Sequence, residues 1–140
     1  MNSAMKEITI LSKGHRDIID ITKKVQSIVD DSSVKCGLCN IFIQHTTAAL
    51  TVNENADQSV KEDILNRLEI LAPKIPNEKE YLHTEGNSDA HIKTSLLSQS
   101  ITIPIHNGKL ALGVWQGVML CEFDGPRNRK VLVTIIQSKQ

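Results

Sequence analysis

Three imidazoles, His45, His83 and His91, stand among side chains that packing alone does not require. His45 opens the run "HTTAALTVNENAD", which reads as strand and then ends in Asn53, Glu54, Asn55 and Asp57. His83 and His91 flank "TEGNSDA", a polar stretch with Glu85, Asn87 and Asp89. His91 is expected in the first turn of a short helix, where the positive end of the dipole disfavours imidazolium. A neutral imidazole is the form that coordinates metals and that serves as an acid–base group. Three histidines with one open position make a catalytic zinc set. The spacing, however, is not that of the helical zinc motifs, and a lone histidine at a strand end also reads as a satisfied structural residue.

Other groups could bind rather than react. In "CEFDGPRNR", Glu122, Asp124, Arg127 and Arg129 surround a tight turn. An arginine fork there suits a phosphate or carboxylate; the plain alternative is a solvated hairpin turn. "GVWQG" sets Trp115, a core or interface anchor, between Gly113 and Gly117, which mark bulges or close backbone approach. His15 and His106 sit beside turn residues and read as surface. Cys36 and Cys39 have the spacing of a redox pair, but such pairs start helices, whereas this one leads into the strand-like "LCNIFIQ". Two small core or strand-end cysteines are the simpler reading. No phosphate-cradling glycine loop, dinucleotide fingerprint or nucleophile elbow is present.

The elements that must position these groups follow from periodicity. "KEITIL" alternates as a strand. Ile18, Ile21, Val25, Ile28 and Val29 form a helical stripe with Asp17 as its expected N-cap. "GLCNIFIQHTTAALTVN" has length for two strands or one bent strand. Val60, Ile64, Leu65, Leu68 and Leu71 predict a second helix starting near Asp57 and ended by Pro73 and Pro76. A loop over 77–87 leads to a short helix from about Asp89 to Leu97, with Ser88 as cap. "SITIPI", an Asn107-Gly108 turn, "KLALGVWQGVMLCEF", a turn at 124–126 and "KVLVTIIQ" complete a β-rich second half. Helices early and strands late predict an α+β chain, mainly an antiparallel β-sandwich with two longer helices and one short one.

The 140 residues fit one domain spanning 1–140 with a core of its own. Sixteen basic and sixteen acidic residues cancel, so charge points to no nucleic-acid or membrane partner. Aromatics at 3% argue against a base-stacking platform. No apolar run approaches the roughly 20 residues of a membrane span, and "MNSAMKEITI" lacks a signal core. The three cysteines fit a reducing compartment. A soluble, cytoplasmic protein is expected.

Three blocks, "HTTAALTVNENAD", "YLHTEGNSDAHIKTSLL" and "LALGVWQGVMLCEFDGPRNRKVLV", together resemble the signature of the YjbQ-type family, associated with secondary thiamine-phosphate synthase activity. The resemblance extends over roughly residues 6 to 137. It implies a compact α+β, largely β-sandwich fold assembled as a homotrimer. It implies His45, His83 and His91 around a divalent metal, zinc or similar, with Asn53, Glu54, Asp57 and Arg127 as catalytic neighbours. The implied reaction joins a hydroxymethylpyrimidine pyrophosphate to a thiazole phosphate. For that chemistry a divalent ion would act as Lewis acid, and Thr46, Thr47, Lys93 and Arg129 would hold phosphorylated substrate. Glu54 or Asp57 would be the base. Pyrophosphate travels with magnesium, which prefers oxygen ligands, whereas three imidazoles favour zinc, nickel or iron. Two rival readings therefore stand: a metal-dependent hydrolase of small phosphorylated or anionic metabolites, and a non-enzymatic metal or metabolite binding protein.

Overall fold

The computed structural model describes residues 3–75 and 81–139. The chain runs β1 (Ser3–Leu11), β2 (Asp17–Asp20), α1 (Thr22–Ser32), β3 (Cys36–Ile43), β4 (Ala48–Glu54), α2 (Gln58–Leu71), α3 (Ser88–Leu96), β5 (Ser100–His106), β6 (Lys109–Leu110), β7 (Gln116–Glu122) and β8 (Asn128–Gln137). A five-stranded sheet has the order β1-β8-β3-β5-β6 and a three-stranded sheet the order β2-β7-β4. Every strand pair is antiparallel. The expected α+β sandwich is the observed fold.

Alternation decides which side chains meet. Cys39, Ile41 and Ile43 of β3, with Val131, Val133 and Ile135 of β8, face Leu50, Val118 and Leu120 of the small sheet, and α1 adds Val25, Ile28 and Val29. A second cluster lies on the other side of the small sheet, where Ile18, Ala49, Met119, Cys121 and Phe123 meet Leu68 of α2 and Ala90 of α3. The layers are thus large sheet, small sheet, then α2 and α3. The outward face of the large sheet leaves Met5, Leu38, Phe42 and Ile136 exposed.

Several elements differ from the periodicity reading. The stripe from Ile18 to Val29 splits: Asp17–Asp20 pairs with β7 as a strand, and the helix begins only at Thr22. Asp17 is therefore no N-cap; Asp20 accepts from the Thr22 amide and hydroxyl instead. Ile18 and Ile21 belong to different cores, which a single helical face would not allow. In α2, Leu71 is exposed at the last helical position. Asn87 rather than Ser88 is the first flanking residue of α3. Pro76 and residues 77–80 of the expected loop lie outside the described residues.

"KLALGVWQG" is not one strand. Gln116 donates its amide to the Gly113 carbonyl, and its side-chain oxygen accepts from the Gly113 amide, closing a turn on itself. Trp115, expected as a core or interface anchor, is 62% exposed on that turn. Gly117 does mark close approach: a Cβ there would meet the Asn55 side chain at 2.4 Å. The Asn107-Gly108 hairpin is as expected, both residues having positive φ.

Asp57 caps α2 by accepting from the Ser59 amide at 2.9 Å. Asp57→Ala is expected to lower the urea midpoint, with Asp57→Asn restoring most of it, as read by circular dichroism.

Candidate functional site

Chain crossings between the sheets build the site. β3 lies in the large sheet and β4 in the small one, so residues 44–47 cross between them; β7 and β8 are joined by a second crossing. Ile43 pairs with Val131 and Ala48 with Glu122, so both crossings fall at the same end of the sandwich. The start of α3 closes the third side. Gln44, His45, Thr46, Thr47, Glu85, Asn87, His91, Asp124, Arg127, Asn128 and Arg129 line a cleft of about 580 Å³. That volume suits one small ligand.

His45 is held by the end of a hydrogen-bond ladder. β3 stops pairing with β8 at Ile43↔Val131. The next β8 amide, that of Lys130, lacks a strand partner on this side and donates to His45 Nε2 at 2.9 Å. Partial burial pushes the His45 pKa below its usual value, and the Arg129 charge adds to this; Glu122 acts in the opposite sense.

Beneath the cleft lies a buried ion pair. Arg129 Nε donates to Glu122 Oε1 at 2.8 Å, and Nη2 donates to the other Glu122 oxygen and to the Thr47 hydroxyl. Glu122 also accepts from the Ser12 hydroxyl and the Asp124 amide. Burial alone would raise the Glu122 pKa, but these donors and the Arg129 charge outweigh it and hold the carboxyl below its usual value. Arg129 and Thr47, expected on substrate, are thus largely engaged with protein: together they fasten the 44–47 crossing to β7 and β8.

At the mouth, Asn87 donates to Asp124 Oδ2 at 2.9 Å, tying the start of α3 to the β7–β8 turn. Arg127 donates to the same oxygen at 3.1 Å and to the Asp124 carbonyl at 2.9 Å. Burial would raise the Asp124 pKa; the Asn87 bond and Arg127 reverse this and lower it. The Arg127 side chain nevertheless remains 55% exposed, so the cleft has a cationic fork at its rim. Thr46 is exposed on the wall beside it.

The three histidines are neighbours without being a triad. His45 and His91 line the same cleft. His83 lies outside its lining and meets His91 edge-on, with ring centroids 5.2 Å apart, while its Nε2 is 3.5 Å from Glu85. Among the described residues no group of three or more histidine, cysteine or acidic side chains is arranged to hold a metal ion. The chemistry of the donor set agrees: the His45 nitrogen facing Lys130 already accepts an amide proton. As placed in one chain, the residues do not fit a three-histidine metal centre.

Asn53, Glu54 and Asp57 are not brought into the cleft. β4 starts beside it at Ala48↔Glu122 and carries Glu54 to the Gln116 end, roughly 20 Å further along the strand. There Asn53 accepts from the Glu54 amide, Asn55 donates to Asp20 at 3.0 Å, and Asp57 caps α2. The polar end of "TVNENAD" is thus a strand-to-helix connection within this chain. Lys93, expected on substrate, is 1% exposed and locked between Asp89 at 2.8 Å and Glu69 at 2.6 Å. Cys36 and Cys39 point to opposite faces of β3, exposed and buried, as a strand requires of residues three apart. Burial pushes the Cys39 thiol up to about 11 and the Cys121 thiol up to about 12.

Gln44 and Asn128 are not marked by their types, and Asn87 and Asp124 enter the sequence reading only as members of polar stretches. Each sits within four positions of His45, His91 or Arg127, so adjacency was the available signal; the packing that joins the three segments was not.

The sequence and fold have relatives. A family model described as "UPF0047 protein YjbQ-like" matches residues 6–138. A UPF0047 protein of Methanocaldococcus jannaschii is 50% identical over 130 residues, covering 93% of this chain and 92% of that protein. YugU of Bacillus subtilis is 39% identical over 133 residues, covering 94% and 98%. A crystal structure of a YjbQ/UPF0047 protein from Clostridium acetobutylicum superposes with a TM-score of 0.89 at 50% identity, covering 94% of this chain and 99% of that one. A YbjQ-like protein of unknown function from Sulfolobus solfataricus gives a TM-score of 0.89 at 32% identity, covering 98% and 99%. The chain belongs to the YjbQ-like UPF0047 family, a family of uncharacterised function.

Proposed function

We propose that the cleft binds one small phosphorylated or otherwise anionic metabolite and that the protein acts on it by acid–base chemistry, hydrolytic in its simplest form. The observation that carries this reading is the half-exposed Arg127 fork on the rim of a polar cleft that also contains His45 and His91. Carboxylate and phosphate oxygens match that fork. Among the described residues no hydrogen bond engages the His91 ring nitrogens, which leaves His91 as the proton carrier.

Coupling a pyrimidine pyrophosphate to a thiazole phosphate, the transfer associated with the family resemblance, is the less favoured chemistry. It needs cationic grips for two phosphorylated partners. Of the three cations expected to serve them, Lys93 is locked in an ion-pair network and Arg129 is buried against Glu122, so Arg127 alone is half free.

A panel of phosphate monoesters and small carboxylates, assayed with purified protein, tests the reading. Arg127→Ala is expected to raise KM about 10- to 100-fold, the loss of one charge-assisted hydrogen bond. His91→Ala should lower kcat with little change in KM. Turnover that is indifferent to both variants, or thiamine phosphate formed as the main product, contradicts the proposal.

We also propose self-association as a homotrimer through the outward face of the large sheet. The exposed Met5, Leu38, Phe42 and Ile136 support it. Sedimentation of Phe42→Asp as a smaller species than the parent is the expected result.

A further inference from the structure

We infer that His45 presents an Nδ1–H donor to an anionic oxygen of the ligand and ligates no metal through either ring nitrogen. The inference rests on the reading of the cleft as an anion site and deepens it.

Strand geometry fixes the orientation of the His45 ring. β3 separates from β8 after Ile43↔Val131, and the Lys130 amide, next along β8, would otherwise point into the space where β3 has left. Two residues on, the His45 ring turns back and fills that position, its Nε2 2.9 Å from the Lys130 nitrogen. A backbone amide only donates, so Nε2 must supply a lone pair. Flipping the ring would put a carbon against the amide and leave the N–H without an acceptor.

A neutral imidazole has one lone-pair nitrogen and one N–H. With Nε2 accepting, the proton resides on Nδ1. Nε2 is therefore closed to a metal by its bond to Lys130, and Nδ1 by its own proton. Moving that proton to Nε2 would set two N–H groups against each other. What His45 retains is a single N–H donor on a residue that lines the cleft with Arg127. Two donors, one neutral and one cationic, complement a phosphate or carboxylate, whose ionised oxygens only accept. Partial burial keeps the ring in this role by disfavouring a second proton on the imidazole, and the Arg129 guanidinium adds to this against the opposing charge of Glu122.

Long-range proton–nitrogen correlation NMR on the ¹⁵N-labelled full chain tests this with two probes, zinc sulfate and inorganic phosphate. The expected pattern is a protonated Nδ1 and a lone-pair Nε2 in the free protein. Equimolar zinc should leave both nitrogens and the Lys130 amide where they are. Phosphate should move the His45 Nδ1–H resonance. An Nε2–H tautomer overturns the inference, as does zinc that displaces the Lys130 amide signal. Phosphate that shifts the Arg127 and Asp124 signals but leaves His45 unmoved overturns the donor role alone. Phosphate that perturbs no cleft residue overturns the anion-site reading and this inference with it. As a second readout, His45→Ala should weaken phosphate binding about tenfold, the worth of one hydrogen bond to a charged group; unchanged affinity contradicts the assignment. The wild-type spectra decide the tautomer even where that variant folds poorly.

Discussion

Arg129→Met is expected to destabilise the protein by about 3–5 kcal/mol, the cost of leaving one partner of a buried ion pair uncompensated. The side chain removed is 2% exposed and its partner Glu122 is 0% exposed. The variant would leave a carboxylate facing a methionine, keeping only the Ser12 hydroxyl and Asp124 amide as donors. It would also release Thr47, whose hydroxyl and carbonyl both accept from Arg129. A midpoint fall of roughly 10 °C or more follows for a chain of this size. Replacing both partners, Glu122→Leu with Arg129→Met, should cost less than the single change, because the uncompensated charge is then gone. Differential scanning calorimetry on the two variants checks the order. A single variant that melts with the parent would mean that the pair contributes nothing to the fold.

The same pair gives acid sensitivity a sign. The folded state holds the Glu122 pKa below its unfolded value, so the stabilisation it provides is fully present above the ordinary carboxylate value of 4.5. It is lost as pH falls from there through the depressed value. Stability measured from pH 7 down to pH 3 should decline in that window, and Glu122→Gln should flatten part of the decline.

Lys93→Met carries the second large effect, again about 3–5 kcal/mol. Lys93 stands between Asp89, four residues back on α3, and Glu69 on α2. The Asp89 side chain is only 3% exposed, so little water can replace the lost ammonium. Glu69 also accepts from Arg16 and from the Lys74 amide, so it retains partners. The loss therefore falls mainly on Asp89. Because α3 carries His91 into the cleft, the variant should show faster amide exchange over 87–94 before global unfolding. Exchange confined to α2 would argue that Lys93 serves that helix instead.

Much of this architecture was legible in the sequence. The β-rich second half, the hairpin at Asn107-Gly108 and the start of α2 at Asp57 each follow from one local rule. The stripe from Ile18 to Val29 misled because its apolar residues serve two faces of the small sheet, a tertiary fact that period alone does not encode. The site was legible in part. His45, His91, Thr46 and Arg127 do share the cleft. Lys93 and Arg129 read as available cations because a sequence shows a cation but not its partner; Lys93 is engaged by Asp89 and Glu69, 4 and 24 residues away, and Arg129 by Glu122, 7 residues away. Asn53, Glu54 and Asp57 follow His45 closely in the chain, yet a strand moves its residues apart by the full rise at every step. Proximity in sequence became distance in space.

The most direct measurement is a backbone amide titration with a phosphate monoester, followed by two-dimensional NMR on the full chain. The account predicts shifts that saturate together at Thr46, at residues 87–91 and at residues 124–128, with Asn53 to Asp57 unmoved. Saturating shifts at Asn53 to Asp57 with a silent cleft would contradict it.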